Sequence, residues 1–191
     1  MPRLLRPTPL QPHDTIAVIS PSGALKEKEP FEKGLAIWQS KYKIELISPY
    51  EKQGYLAGSD EHRRHAIYTA WTDPKYKAIL CSRGGFGSMR LLENWSWELS
   101  VSPKWLVGFS DVTALLWSLY NQGIIGLHAP VLTTFGNEPQ WSRDRAFNYL
   151  EKQQLPPLKG EGWGGGKVTG RLLPANLTVA THLLGTALQP C

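Results

Sequence analysis

The chain has 191 residues, 41% of them hydrophobic and 19% charged, enough apolar material for a packed core and too much for a disordered polar chain. No apolar run approaches the ~20 residues that span a bilayer, the opening Met1-Pro2-Arg3-Leu4-Leu5-Arg6-Pro7 lacks the pattern of a secretory leader, and Cys81 and Cys191 supply neither a disulfide framework nor a zinc site, which fits a reducing, cytoplasmic setting. The net charge of +5 and pI near 9.2 come from basic residues spread along the chain, with Arg63-Arg64-His65 the densest group, so the excess reads as a solvated surface and not as a nucleic-acid footprint.

Thr15 to Ser20 is a β-branched run that predicts a strand, broken by the turn Pro21-Ser22-Gly23. A helix follows from about Glu27 to Tyr42, with Phe31, Leu35, Trp38 and Tyr42 along one side, and Lys43 to Ser48 gives a second strand closed by Pro49. After a loop over 53–58, Ser59 or Asp60 caps a helix with an acidic first turn and an inner face of Ile67, Ala70 and Trp71. Ala78 to Cys81 is a third strand, running straight into Ser82-Arg83-Gly84-Gly85-Phe86-Gly87 and a short helix over Ser88 to Glu93. Trp105 to Phe109 reads as a short buried strand, and from Asp111 onward Val112, Leu115, Leu116 and Leu119 recur with helical spacing. Ile124 to His128 is the last strand of the series.

Strands alternating with amphipathic helices predict an α/β fold, Rossmann- or flavodoxin-like, with a parallel sheet covered on both faces over residues 1–135. Residues 136–166 read as a loop (Phe135 to Pro139), a helix (Ser142 to Lys152) and a Gly/Pro-rich linker. Residues 167–191 read as a strand (Val168 to Leu173) and a helix, Leu177 to Leu184, capped by Asn176, opening a C-terminal domain that these residues do not complete.

In parallel sheets ligands bind beyond the carboxyl ends of the strands, which places the glycine-rich turn and Ser110 on one rim. Gly84, Gly85 and Gly87 leave backbone amides uncovered for a phosphate or an oxyanion, though no phosphate-loop or dinucleotide fingerprint is present. Ser110 stands where a strand gives way to a helix, the position of a nucleophile elbow. Gly108 matches the first glycine of G-x-S-x-G, but Val112 replaces the second. On that stretch alone a plain helix cap by Ser110 or Asp111 is favoured.

Taken together, several stretches resemble the serine peptidases that include LD-carboxypeptidases and the microcin C immunity peptidases. They are Ile16-Ala17-Val18-Ile19-Ser20-Pro21-Ser22-Gly23, Tyr55-Leu56-Ala57-Gly58 with Arg63 and Arg64, Ser82-Arg83-Gly84-Gly85-Phe86-Gly87, Leu106 to Leu115 around Gly108-Phe109-Ser110-Asp111, Gly126-Leu127-His128-Ala129-Pro130, Asn176-Leu177, and Leu183-Leu184-Gly185-Thr186. The resemblance implies a two-domain enzyme with a Ser-Glu-His triad. Ser110 would be the nucleophile, the amides of Gly85 and Asp111 the oxyanion hole, and Arg83, Gly84 and His128 would contact substrate. The implied reaction releases a terminal D-alanine from a murein tetrapeptide through an acyl-enzyme, with no metal or organic cofactor. Nucleic acid and membrane are not expected partners, and a homodimer is a possible assembly.

One departure stands out: family members usually continue beyond the Leu183-Leu184-Gly185-Thr186 stretch, where the triad Glu and His lie, and those residues have no counterpart here. Pro174-Ala175 also stands where the family tends to have Gly-Gly. The chain by itself is therefore expected to be a truncated, inactive portion. Of its histidines, His128 comes nearest to serving as a base, but its His-x-Pro turn favours a structural role. His13, His62, His65 and His182 suit the surface. Two further readings stay open: a non-catalytic module that keeps the amide pocket for an anion, and a microcin-type immunity peptidase that cuts a peptide-nucleotide conjugate.

Overall fold

The computed structural model describes residues 4–47 and 54–190. Five parallel strands form one sheet in the order β2-β1-β3-β4-β5: β1 Thr15–Ile19, β2 Lys43–Leu46, β3 Tyr76–Cys81, β4 Trp105–Gly108 and β5 Leu127–His128. This is the flavodoxin-like order, whose strand sequence reverses between β1 and β3.

Side chains alternate across each strand and so feed two cores. Ala17, Ile19, Ile79, Cys81 and Leu106 face one layer, while Ile16, Val18, Ala78, Leu80, Trp105 and Val107 face the other. Helix α2 (Asp60–Thr72) and helix α3 (Thr113–Asn121) close the first layer through Ala66, Ile67, Ala70, Trp71, Leu115 and Leu119. The second is closed by α1 (Lys28–Gln39), α4 (Leu132–Phe135) and α5 (Gln140–Lys152), which bring Phe31, Trp38, Phe135, Phe147 and Leu150 together. Trp38 stacks edge-on against Phe147 at 5.0 Å and lies 5.3 Å from Phe135. Several tryptophans thus serve as core: Trp71, Trp95 and Trp97 form a second edge-to-face set in the other layer.

Local chemistry explains the helix ends. Ser59 caps α2 by accepting from the His62 amide at 3.2 Å, with Asp60 and Glu61 in the positive first turn. At the other end the buried Lys104 ammonium donates to the carbonyls of Ala70 (3.0 Å) and Asp73, satisfying acceptors that the helix leaves open. Burial pushes its pKa down to about 8.

The expectations differ from the structure at several places. The β5 strand is confined to Leu127–His128, and Ile124 makes only an isolated bridge to Leu5. Leu132–Phe135 forms a helical turn ahead of the loop expected from Phe135. Helix α5 starts at Gln140, two residues before Ser142. Leu35 is only half-buried on α1. The expected end of β2 at Ser48 and Pro49, and the loop residue Gln53, lie outside the described residues, as does Cys191.

The strand expected at Val168 to Leu173 does not form. That segment has no strand beside it and leaves Val168 at 97% and Leu172 at 87% exposure, and β-structure needs a partner for its backbone groups. Helix α6 (Leu177–Leu183) does form, capped by Asn176, which accepts from the Val179 amide at 3.1 Å. It rests on α3: Leu183 is buried, and the Asn176 amide donates to Thr113 Oγ1 at 3.0 Å.

One contact between helices sets the second layer. A Cβ on Gly34 would stand 2.0 Å from the carbonyl oxygen of Leu132, so α1 and α4 meet backbone to backbone. Gly34→Ala is expected to lower the unfolding free energy by about 3 kcal/mol, as overpacking against main chain does. Urea denaturation checks this, and an unchanged midpoint would refute the close approach.

Candidate active site

The turns after β1, β3 and β4 meet beyond the carboxyl edge of the sheet, at the reversal of strand order. The Ser82 amide donates to the Ile19 carbonyl at 2.8 Å, the Ser20 and Ser82 hydroxyls lie 2.7 Å apart, and the Gly23 amide donates to the Gly84 carbonyl at 3.2 Å. The first two turns are thereby tied to each other.

Ser110 follows β4 by two residues and has φ +62, left-handed backbone that costs a non-glycine residue about 1–2 kcal/mol. It opens a 3-10 turn, Ser110–Val112, that runs into α3. Neither Ser110 nor Asp111 caps the helix through its side chain, so the cap that the local sequence favours is not what the serine does. Two glycines make the turn possible. A Cβ on Gly108 would fall 2.9 Å from Val112 Cγ1 and 3.2 Å from Cys81 Cβ. A Cβ on Gly84 would fall 2.9 Å from Ser110 Cβ and 3.1 Å from its Oγ. The serine is half-buried and directly against the glycine-rich turn.

Gly85 is exposed and has φ +124; a Cβ there would meet the Gly23 nitrogen and the Tyr55 hydroxyl, each at 3.2 Å. Arg83 is half-buried, and its guanidinium donates to the Ala24 carbonyl at 2.6 Å, so it fastens the turn after β1. His128 ends β5 beside Gly108, its ring 6.2 Å from that of Phe109. Its Nε2 is buried without a hydrogen-bond partner, and burial holds its pKa below the ordinary value. His128 also lines a cavity of about 580 Å³ with Trp117, Tyr149 and Arg145.

Among the described residues no histidine hydrogen-bonds to Ser110. His65 pairs with Thr69 at 3.4 Å and His182 with the Thr178 carbonyl at 2.6 Å, both on the exposed surface. Nor do three His, Cys, Asp or Glu side chains gather among the described residues as a metal site would require.

Two side chains beneath the rim, both within stretches that carry the resemblance, have contacts that the sequence did not assign to them. Asp111, 5% exposed, turns its carboxylate inward, where Oδ2 accepts from the Ser22 hydroxyl at 2.6 Å and from the Ser88 amide at 2.8 Å. Ser88 returns the contact, its hydroxyl donating to the Asp111 carbonyl at 2.6 Å. Arg63, buried on α2, donates to the carbonyls of Pro21 and, at 3.0 Å, Gly87, and pairs with Asp60. Only the Asp60–Arg63 pair is close in sequence; every other partner sits on a distant loop, and no local motif marks it.

A family model described as the LD-carboxypeptidase N-terminal domain matches residues 16–129. The chain belongs to that family. It is 52% identical over 188 residues to a Synechocystis protein assigned by name as a carboxypeptidase, covering 97% of this chain and 62% of the relative. It is 31% identical over 145 residues to the murein tetrapeptide carboxypeptidase of Pseudomonas aeruginosa, covering 69% and 47%. Among solved structures, the microcin self-immunity protein MccF in its wild-type apo state superposes with a TM-score of 0.86 at 25% identity, covering all of this chain and 68% of that one. The chain thus spans less than two thirds of the length of these curated relatives. Among the described residues, no helix is long and apolar enough to cross a membrane.

Two measurements follow from this geometry. Ser110→Gly is expected to be more stable than Ser110→Ala by about 1 kcal/mol in urea denaturation, because only glycine adopts the left-handed turn without cost; equal stabilities would contradict it. Burial keeps His128 neutral in the fold below the pH at which the unfolded chain takes up a proton. Stability is therefore lost as pH falls below about 6.5. His128→Gln is expected to flatten that dependence between pH 7.5 and 5, and parallel curves for parent and variant would rule the titration out.

Proposed function

We propose that the protein is a serine peptidase of the LD-carboxypeptidase type that removes the terminal D-alanine from a murein tetrapeptide. The observation that carries this reading is Ser110 itself: a serine in left-handed backbone, past the end of an inner strand and against Gly84. That is the placement that lifts a hydroxyl above a sheet and offers it to substrate.

In this reading Ser110 Oγ attacks the carbonyl of the scissile amide. Its proton passes to a base and on to the leaving amine, D-alanine departs, and water then hydrolyses the acyl-enzyme. The tetrahedral oxyanion is held by the amides of Gly85 and Asp111, fixed donors that need no reorganisation as charge develops. Arg83, Gly84 and His128 line the approach of the peptide. The base and its carboxylate partner are assigned to the His and Glu of the family's C-terminal domain, with residues 1–135 as the nucleophile-bearing domain. The named activity of the Pseudomonas aeruginosa relative supports the murein substrate. The likeness to MccF keeps a peptide-nucleotide conjugate as the substrate to compare.

The protein at its full natural length is expected to release D-alanine from murein tetrapeptide, and Ser110→Ala to reduce kcat by at least ~1,000-fold. Amino-acid analysis of the products measures both. Undiminished release by Ser110→Ala would remove the nucleophile from this scheme, and preferential cleavage of a peptide-nucleotide conjugate would move the substrate to the immunity class.

A further inference from the structure

Five links close a ring beneath the rim. Ser110 is bonded to Asp111. The Asp111 carboxylate accepts from the Ser22 hydroxyl at 2.6 Å. Ser22 is bonded to Gly23, the Gly23 amide donates to the Gly84 carbonyl at 3.2 Å, and Gly84 lies against Ser110, with only 2.9 Å between a Cβ built on it and the serine Cβ. A second ring shares the same carboxylate through the Ser88 amide at 2.8 Å and returns through Gly87 to Gly84. The three residues at the crossing of the rings, Ser22, Ser88 and Asp111, are buried and belong to three separate connections, those after β1, β3 and β4.

We propose that the Asp111 side chain is a positioning residue for the Ser110 site, holding Ser110 at a fixed distance from the Gly84-Gly85 amides through Ser22 and Ser88. This rests on the reading of Ser110 as nucleophile. The helix after Ser110 does not require the acid, since the carboxylate makes no capping bond to it. An acidic group here costs desolvation that an apolar residue would avoid. What an apolar residue lacks is an acceptor for donors arriving from two different loops. Asparagine retains one oxygen that can accept from both; alanine retains none.

The test is made on the protein at its full natural length, with murein tetrapeptide as substrate and rates expressed per folded molecule by circular dichroism. Ser22→Ala, which deletes one hydroxyl and leaves Asp111 in place, is expected to lower kcat about 10- to 100-fold with KM within twofold of the parent, the signature of reacting groups displaced by a fraction of an ångström. Asp111→Asn is expected to lose less than Asp111→Ala. The double variant Ser22→Ala/Asp111→Ala is expected to be no slower than Asp111→Ala, because both act through one contact. A parental kcat in folded Ser22→Ala, a loss confined to KM, additive losses in the double variant, or failure of both Ser22→Ala and Asp111→Asn to fold would each overturn the positioning role. Ser110→Ala, run alongside, separates the two readings. If it is inactive while Ser22→Ala is unimpaired, only the role of Asp111 falls; if it is active, the nucleophile assignment falls first.

Discussion

The site depends on one backbone constraint, the left-handed conformation of Ser110 after β4. A chain leaving a strand and entering a helix in so few residues has to turn sharply, and an L-residue resists the φ this requires. The resistance is overcome by the surroundings. Gly108 lets Val112 fold back over the end of β4 toward Cys81, and Gly84 lets the turn after β3 lie against the serine. Each close approach is one that a methyl group would block, so the chain uses glycine where main chain must pass directly against a neighbouring side chain.

Hydrophobic burial builds the platform but cannot by itself aim the three connections above it. The sheet is apolar on both faces, and its two cores fix strand register through alternating side chains. Loop positions are set instead by polar groups withdrawn from water, where a hydrogen bond left unmade costs more than one made contributes. Arg63 draws together the connections after β1 and β3 from the side of α2, and its charge attracts that of Asp111. The strand order reverses between β1 and β3, the place in an open parallel sheet where a crevice forms, and these groups brace the connections beside it.

What could be read from the sequence was what local periodicity and turn chemistry encode. The β-branched run of β1, the short apolar run of β3, the Ser59 and Asn176 caps and the apolar stripe on α3 all announce themselves within a few residues. So does the abrupt change of period at Ser110. The segment at Val168 to Leu173 misled because its residues suit a strand while pairing depends on a neighbour that local sequence does not reveal. Leu132–Phe135 escaped because one helical turn is too short to establish a period. The Ser22, Ser88 and Asp111 network was invisible for a third reason: its members are separated by 89 and 23 positions, and serine and aspartate at turns are too common to mark themselves.

Cys81 closes β3 in register with Ile19, in the middle of the sheet and behind Gly108. Burial and the nearby negative charge of Asp111 push its thiol well above the ordinary range, so it stays protonated, and a protonated, enclosed sulfur is inert to alkylating reagents. The molecule therefore carries an internal clock for its own breathing. Modification of this sulfur would register those excursions in which the innermost strands part and the rim that carries Ser110 comes apart with them.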